Sequence, residues 1–252
     1  MAQRAELLQY LDELLEPGRF QDYCPNGLQV EGGERVERIV SGVTASRALL
    51  ERAIAVGADT VLVHHGYFWK GEDPCVTGMK ARRLALLLGA GVNLLAYHLP
   101  LDAHPVYGNN RQLAERLGIV VTGELDTGHR PALGLHGELP AAQPVTELRG
   151  MLAARLGREP LHVAGGPARI RTLAWCSGAG QDFIDAAARQ GVDAYLSGEI
   201  SERTAHAARE QGLHYFAIGH HASERYGVAA LGAHLAQRFA VWHEYVEVDN
   251  PA

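Results

Sequence analysis

RIVSGVTASRALLERAIAVGADTVLVHHG, residues 38–66, decides the fold. Branched apolar residues open it as a strand, a small-residue turn follows, and the apolar spacing over residues 46–56 predicts an amphipathic helix that stops at Gly57. TVLVHH is then a second strand. Downstream, a helix around residues 79–88 stops at Gly89, NLLAYH reads as a third strand, and RQLAERLG follows as a helix behind an Asn109-Asn110 cap. Strands alternating with helices in this way, βαβαβ, specify a parallel sheet. Upstream, Leu7, Leu8, Leu11, Leu14 and Leu15 place a helix over residues 2–15, closed by Pro17-Gly18, and the Pro-, Asn- and Gly-rich residues 22–34 read as loop.

The second half repeats the pattern. RTLAWCSGAGQDFIDAAARQGVDAYLSGE, residues 171–199, has the same strand, turn, helix, Gly-x-Asp turn and second strand, with Gly191 to Asp193 matching Gly57 to Asp59 and Gly198-Glu199 matching His64-His65. GVNLLAYHLPLD and GLHYFAIGHHASE are the corresponding third strands. The chain is therefore read as α/β: two related three-layer α/β domains from a duplicated βαβαβ unit. The first is assigned to residues 1–125 and the second to 126–252, with a Gly- and Pro-rich junction around residues 124–150.

Composition excludes several classes. A chain of 252 residues with 47% hydrophobic content can bury a substantial core. The 23 basic and 29 acidic residues give a net charge of −6, and no Lys/Arg run is dense enough for a nucleic-acid footprint. The three cysteines, Cys24, Cys75 and Cys176, form no CxxC pair, and the N-terminal residues do not read as a signal peptide, so a cytoplasmic location is expected. The most apolar stretch, residues 84–99, is interrupted by Gly89, Gly91 and Asn93 and is too short to span a bilayer. Thirteen histidines against three methionines are the unusual feature.

Those histidines are not evenly spread. In open α/β sheets, ligands gather at the carboxyl ends of the strands. His64-His65 lies at one such end, His98 to Asp102 at a second, and His220 to Glu224 at a third. A single histidine at a strand end is usually a hydrogen-bonded core residue; three clusters at equivalent ends point to a metal site. The donors are imidazole nitrogen and carboxylate oxygen, a set that suits Zn, Mn, Fe, Co or Ni. Successive strand residues face opposite sides, so His64 and His65 serve two ions unless the strand has already ended. Glu224 lies four residues from His220 and three from His221, and spacing alone does not choose between them. A carboxylate reaching both ions could bridge them. His104 reads equally as a surface turn residue, Phe68 and Trp69 as core aromatics or stacking platforms, and Glu199 as a buried carboxylate or a site residue. His129, His136, His162, His206, His214, His234 and His243 are scattered and receive no role.

VHHGYFWKG (63–71), YHLPLDAHPVYGNN (97–110), DYCPNGLQVEG (22–32) and GHHASE (219–224) together resemble the bacterial YbgI-like members of the NIF-three-like family, dinuclear-metal proteins often labelled GTP cyclohydrolase 1 type 2 homologs. The resemblance covers nearly the whole chain. It implies a two-domain α/β fold with the metal site between the domains, a ring-shaped homohexamer, and two divalent metal ions per subunit facing an internal cavity. Carried over by position, the implied ligands are His64, His65, Asp102, His220 and Glu224, with Glu224 as bridge. His98 falls in or beside the ligand set as the implied catalytic residue. The large extra domain that some relatives carry between the halves has no counterpart here. Two functions follow as expectations: a metal-dependent hydrolase of a nucleotide or another cyclic C–N substrate, or a non-catalytic hexamer that stores or delivers metal or serves as a scaffold.

Overall fold

The computed structural model describes residues 1–252. Two compact units divide the chain: residues 1–101 with 228–249, and residues 102–227 with 250–252.

The first unit opens with a two-residue strand β1 (Ala2–Gln3) and helix α1 (Arg4–Leu15), whose Leu7, Leu11 and Leu15 are buried. Strand β2 (Gly27–Val30), the short β3 (Arg35–Val36) paired with β1, β4 (Arg38–Thr44), helix α2 (Arg47–Ala55), β5 (Thr60–His65), helix α3 (Gly78–Ala90) and β6 (Asn93–Ala96) follow. β4, β5 and β6 are parallel neighbours, as the repeat predicts, with Thr44 beside His65 and Val63 beside Ala96. The Ser46 hydroxyl accepts the Leu49 N–H and starts α2. A Cβ on Gly42 would lie 2.8 Å from the Leu49 side chain, so α2 seats directly on β4 there. Val40, Val61, Val63, Leu49, Leu50, Leu84, Leu87 and Leu94 form the core of this layer. Residues 22–34 are not all loop: β2 pairs antiparallel with β6 and forms a sheet edge, the backbone partner overriding a turn-like composition.

The short helix α4 (Leu99–Ala103) leads into α5 (Asn109–Leu117) and the second unit, with β7 (Val120–Leu125), β8 (Gly134–Pro144), α6 (Val145–Leu156), β9 (Leu161–Val163), β10 (Arg169–Cys176), α7 (Ile184–Gln190), β11 (Ala194–Ser197), α8 (Glu202–Glu210) and β12 (His214–Ala217). Its six-stranded sheet runs β7-β8-β10-β11-β12-β9, parallel across β10-β11-β12 and antiparallel outside them. Trp175, Phe216, Leu173, Leu196, Leu148 and Leu152 are at the centre of its core. The expected junction around residues 124–150 is thus an 11-residue strand and the start of a helix.

Helix α9 (His220–Phe239) and strand β13 (Trp242–Tyr245) close the chain. β13 pairs parallel with β4, giving the first sheet the order β13-β4-β5-β6-β2. A single boundary at 125/126 does not coincide with these units, because this last pairing returns residues 228–249 to the first one.

The duplication is visible in one repeated device. Asp59 accepts the Glu37 and Arg38 N–H groups at 2.7 and 2.9 Å, and Asp193 accepts those of Arg171 and Thr172 at 2.8 and 2.9 Å. Each Gly-x-Asp turn therefore ties the start of its second strand to the start of its first. No helix is long and apolar enough to cross a membrane.

Candidate metal centre

In the first unit β5 ends at His65, so the alternation that would separate the two histidines stops there. Their ring centroids lie 4.5 Å apart. Gly66 follows because a Cβ there would lie 2.1 Å from the Gln29 carboxamide oxygen. His64 is fully buried, and its Nδ1 donates to the Tyr97 carbonyl at 3.0 Å. A carbonyl only accepts, so the proton sits on Nδ1 and the lone pair on Nε2. His65 Nδ1 meets the Thr44 hydroxyl at 3.2 Å, across the register pair that joins β4 to β5. His98 follows β6, with its ring 5.1 Å from that of His64 and 5.7 Å from that of His65. One nitrogen from each of the three lies within 4.8 Å of the others. The Trp69 indole closes this nest, edge-on to His98 at 5.0 Å and 5.9 Å from His65. Phe68, at a left-handed φ of 65°, packs instead under Lys80.

In the second unit Asp102 and Glu224 are both buried, and a carboxylate oxygen of one lies within 4.8 Å of one from the other. Asp102 Oδ1 accepts from Asn109 Nδ2 at 2.9 Å and Ser177 Oγ at 3.0 Å. Asn110 accepts the Ser177 N–H and donates to the Leu133 carbonyl, fixing both sides of that arrangement. The Asn109-Asn110 pair is not the cap that its position suggests: α5 begins at Asn109 with Gly108 as its N-cap, and both carboxamides are spent on Asp102, Ser177 and Leu133. Glu224 stands one turn along α9 from His220, whose Nε2 lies 3.1 Å from Glu224 Oε2 and whose Nδ1 lies 2.7 Å from Glu199 Oε1. His220 thus makes the contact with Glu224 that spacing left open between His220 and His221, while the His221 N–H donates to the Ala252 carbonyl. Gly178, at φ 61°, gives Glu224 its room, since a Cβ there would lie 2.0 Å from Oε1.

Charge explains the protonation of this cluster. Burial acts to lower the His220 pKa, but the Glu224 and Glu199 carboxylates outweigh it and hold the imidazole up at about 9. Burial, with Asp102 and Glu224 adding to it, drives the Cys176 thiol well above its ordinary value, so in the metal-free protein it stays protonated. The His220 proton answers Glu224 and the half-exposed Glu199, whereas Asp102 and Glu224 are two nearly dry carboxylates with oxygens within 4.8 Å of each other, a pairing that a divalent cation would relieve. The histidine nest of the first unit could hold a metal ion, and in the second unit Glu224 has ligand-type atoms of both Asp102 and His220 close to it; imidazole and carboxylate donors of this kind suit a divalent cation.

Most of the remaining histidines have hydrogen-bond partners of their own. His104 Nδ1 accepts the Val106 and Tyr107 N–H groups and caps a turn. His162 pairs with His214, His234 with Tyr10 and His243 with Ser41. Sequence reasoning missed Asp22, Asn109, Asn110, Ser177 and Gly178 as site residues. Asp22, Asn109 and Asn110 lie in DYCPN and YGNN, but stretches of that composition are ordinary turn sequence and need no site to explain them.

Comparison with known proteins agrees along the whole chain. The family model of Duf34/NIF3 (NGG1p interacting factor 3) matches residues 2–251. A Pseudomonas aeruginosa protein described as "GTP cyclohydrolase 1 type 2 homolog" is 56% identical over 247 residues, 98% of this chain and 97% of its own. An Escherichia coli K12 protein of the same description is 53% identical over 248 residues, 98% of each. Among solved structures, "protein ybgI, unknown function" superposes with a TM-score of 0.96 at 52% identity, and a Thermus thermophilus protein with 0.90 at 34%, each covering 100% of both chains.

Proposed function

We propose that this chain, which belongs to the Duf34/NIF3 (NGG1p interacting factor 3) family, binds two divalent metal ions through His64, His65, Asp102, His220 and Glu224 and uses them as a metal-dependent hydrolase of a nucleotide or another cyclic C–N substrate. The observation that carries this reading is the buried Asp102–Glu224 carboxylate pair with His220 against it. Groups so placed demand a cation, and a site lined with imidazole and carboxylate suits Zn, Mn, Fe, Co or Ni. When bound, such ions supply Lewis acidity and a bound water whose pKa falls towards about 7.

The residues divide the work. Glu224 would hold the ions together with the other four ligands, and Asp102 is kept in place by Asn109 and Ser177. His98, beside His64 and His65, carries a proton to or from the reacting atoms. Trp69 shields that nest from solvent on one side. The names of the relatives, homologs of a GTP cyclohydrolase, support a C–N bond as target. The working form in this reading is a cytoplasmic homohexameric ring, which light scattering on the intact chain checks.

Elemental analysis of metal-loaded protein should approach two ions per chain, and Glu224→Gln, which keeps shape and removes charge, should lower that content. One ion at saturation excludes the bridge, and none overturns the reading. GTP, other nucleotides and cyclic amides are then screened against the loaded protein, with the His64→Ala/Glu224→Gln variant as blank. Metals that bind and exchange readily without any turnover would leave the alternative, a hexamer that stores or delivers metal or serves as a scaffold.

A further inference from the structure

The DYCPN loop that precedes β2 has no part in the ligand set, yet its first residue is nearly dry: the Asp22 side chain is 4% exposed. Both carboxylate oxygens are fully used. Oδ1 accepts from His98 Nδ1 at 2.7 Å and from the Tyr23 N–H at 2.6 Å. Oδ2 accepts from Asn26 Nδ2 at 2.8 Å and from the Leu99 N–H at 3.0 Å. Asn26 Oδ1 in turn accepts the His98 N–H at 2.7 Å. Two side chains of one loop thus hold His98 at its ring and at the backbone on both sides of it.

Asp22, Cys24 and His98 also bring ligand-type atoms within 4.8 Å of one another, which raises a third metal site as the rival explanation. Four accepted hydrogen bonds leave the Asp22 carboxylate no orbital for a cation. The Cys24 thiol is pushed up to about 12 by burial and by Asp22, so it is a protonated thiol. Burial alone would raise the Asp22 carboxyl; the hydrogen bonds from His98, Asn26 and the Tyr23 N–H act against it and keep the group ionised.

We infer that Asp22 is a positioning residue: it locks His98 as the Nδ1–H tautomer and so presents an unprotonated Nε2 to the His64–His65 nest. His98 then acts there as a lone-pair donor, a base or a ligand, and never as a neutral N–H donor. His64 reaches the same tautomer through the Tyr97 carbonyl, so two of the three imidazoles of the nest are oriented alike by different acceptors. Orientation of this kind, a carboxylate behind an imidazole, recurs at metal and triad histidines. The inference rests on the proposed function only in what the His98 lone pair serves; the tautomer itself is independent of it.

The test is long-range 1H–15N correlation of histidine-labelled, metal-free full-length protein at pH 8, with His98 assigned from His98→Asn. The wild type should show His98 as the Nδ1–H tautomer by at least about tenfold. Asp22→Asn, nearly isosteric, replaces a charged acceptor by a neutral amide and should erode that preference about tenfold. His64, held by a backbone carbonyl, should keep its tautomer in the same variant. Its constancy separates lost positioning from a disturbed fold, and Asp22→Ala provides a second variant with no acceptor at all. A wild-type His98 carrying its proton on Nε2, or a tautomer unchanged in both variants, overturns the inference. Zinc content, measured on aliquots of the same preparations after reloading with zinc and removal of the excess, distinguishes the two failures. Protein that binds no zinc but shows the Asp22-dependent tautomer sinks the hydrolase reading alone, and protein that binds zinc with an Asp22-independent tautomer sinks this inference alone.

Discussion

His220 is where the chemistry of a single residue becomes measurable without a substrate. Its imidazole is 26% exposed and sits between two carboxylates. With a folded pKa of about 9, raised above the ordinary 6.5, its charge stabilises the metal-free protein fully below pH 6.5. That contribution, roughly 1–3 kcal/mol once partial exposure is allowed for, is lost as pH rises through 9. Thermal melts of metal-free protein should therefore drop between pH 6.5 and 9.5, and His220→Gln should flatten that drop. Metal competes with the same proton, so zinc affinity should keep rising up to about pH 9 rather than levelling off near 6.5. A melting profile identical in wild type and His220→Gln would show that the proton lies elsewhere. At this scale the histidines were legible in the sequence, because adjacent imidazoles at the end of an apolar run have few other uses. Asp22 and Ser177 were not: they meet His98 and Asp102 across 76 and 75 residues of chain, and nothing local distinguishes them from turn residues.

At the scale of elements, the two Gly-x-Asp turns do equivalent work. Asp59 and Asp193 each accept two N–H groups at the start of a neighbouring strand and fix where that strand begins. Asp59→Ala and Asp193→Ala should each cost about 1–3 kcal/mol, as the loss of hydrogen bonds to a charged acceptor does. Urea unfolding of the two variants checks this, and a cost below about 0.3 kcal/mol for either would mean that water replaces the carboxylate. The βαβαβ core was legible because its signals are local, the apolar period within each element and a Gly close to the end of each helix, although α3 runs through the expected stop at Gly89 and is capped by Gly91. β2 and β8 were not legible, for a shared reason. β2 begins at Gly27 after a Pro-Asn turn, and β8 contains Gly134, Gly137 and Pro140, so their strand character comes from the antiparallel partners β6, β7 and β10 rather than from their own composition.

For the whole molecule, the division into two units follows strand pairing and not chain order. The first sheet takes its edge strand β13 from residues 242–245, after the entire second unit has been traversed. During synthesis β4, buried from Ile39 to Val43, leaves the ribosome some two hundred residues before the strand that covers its outer side. Through that interval its N–H and C=O groups form an open edge, the kind on which other chains add strands. A chain ending at Gly227 should therefore accumulate as insoluble, strand-rich aggregate, and sedimentation after expression at low temperature checks it; a soluble, monodisperse fragment would show that the edge protects itself. The last twenty-odd residues thus act as a built-in chaperone for the first hundred, and the cell must keep the nascent chain apart from its own copies until they arrive.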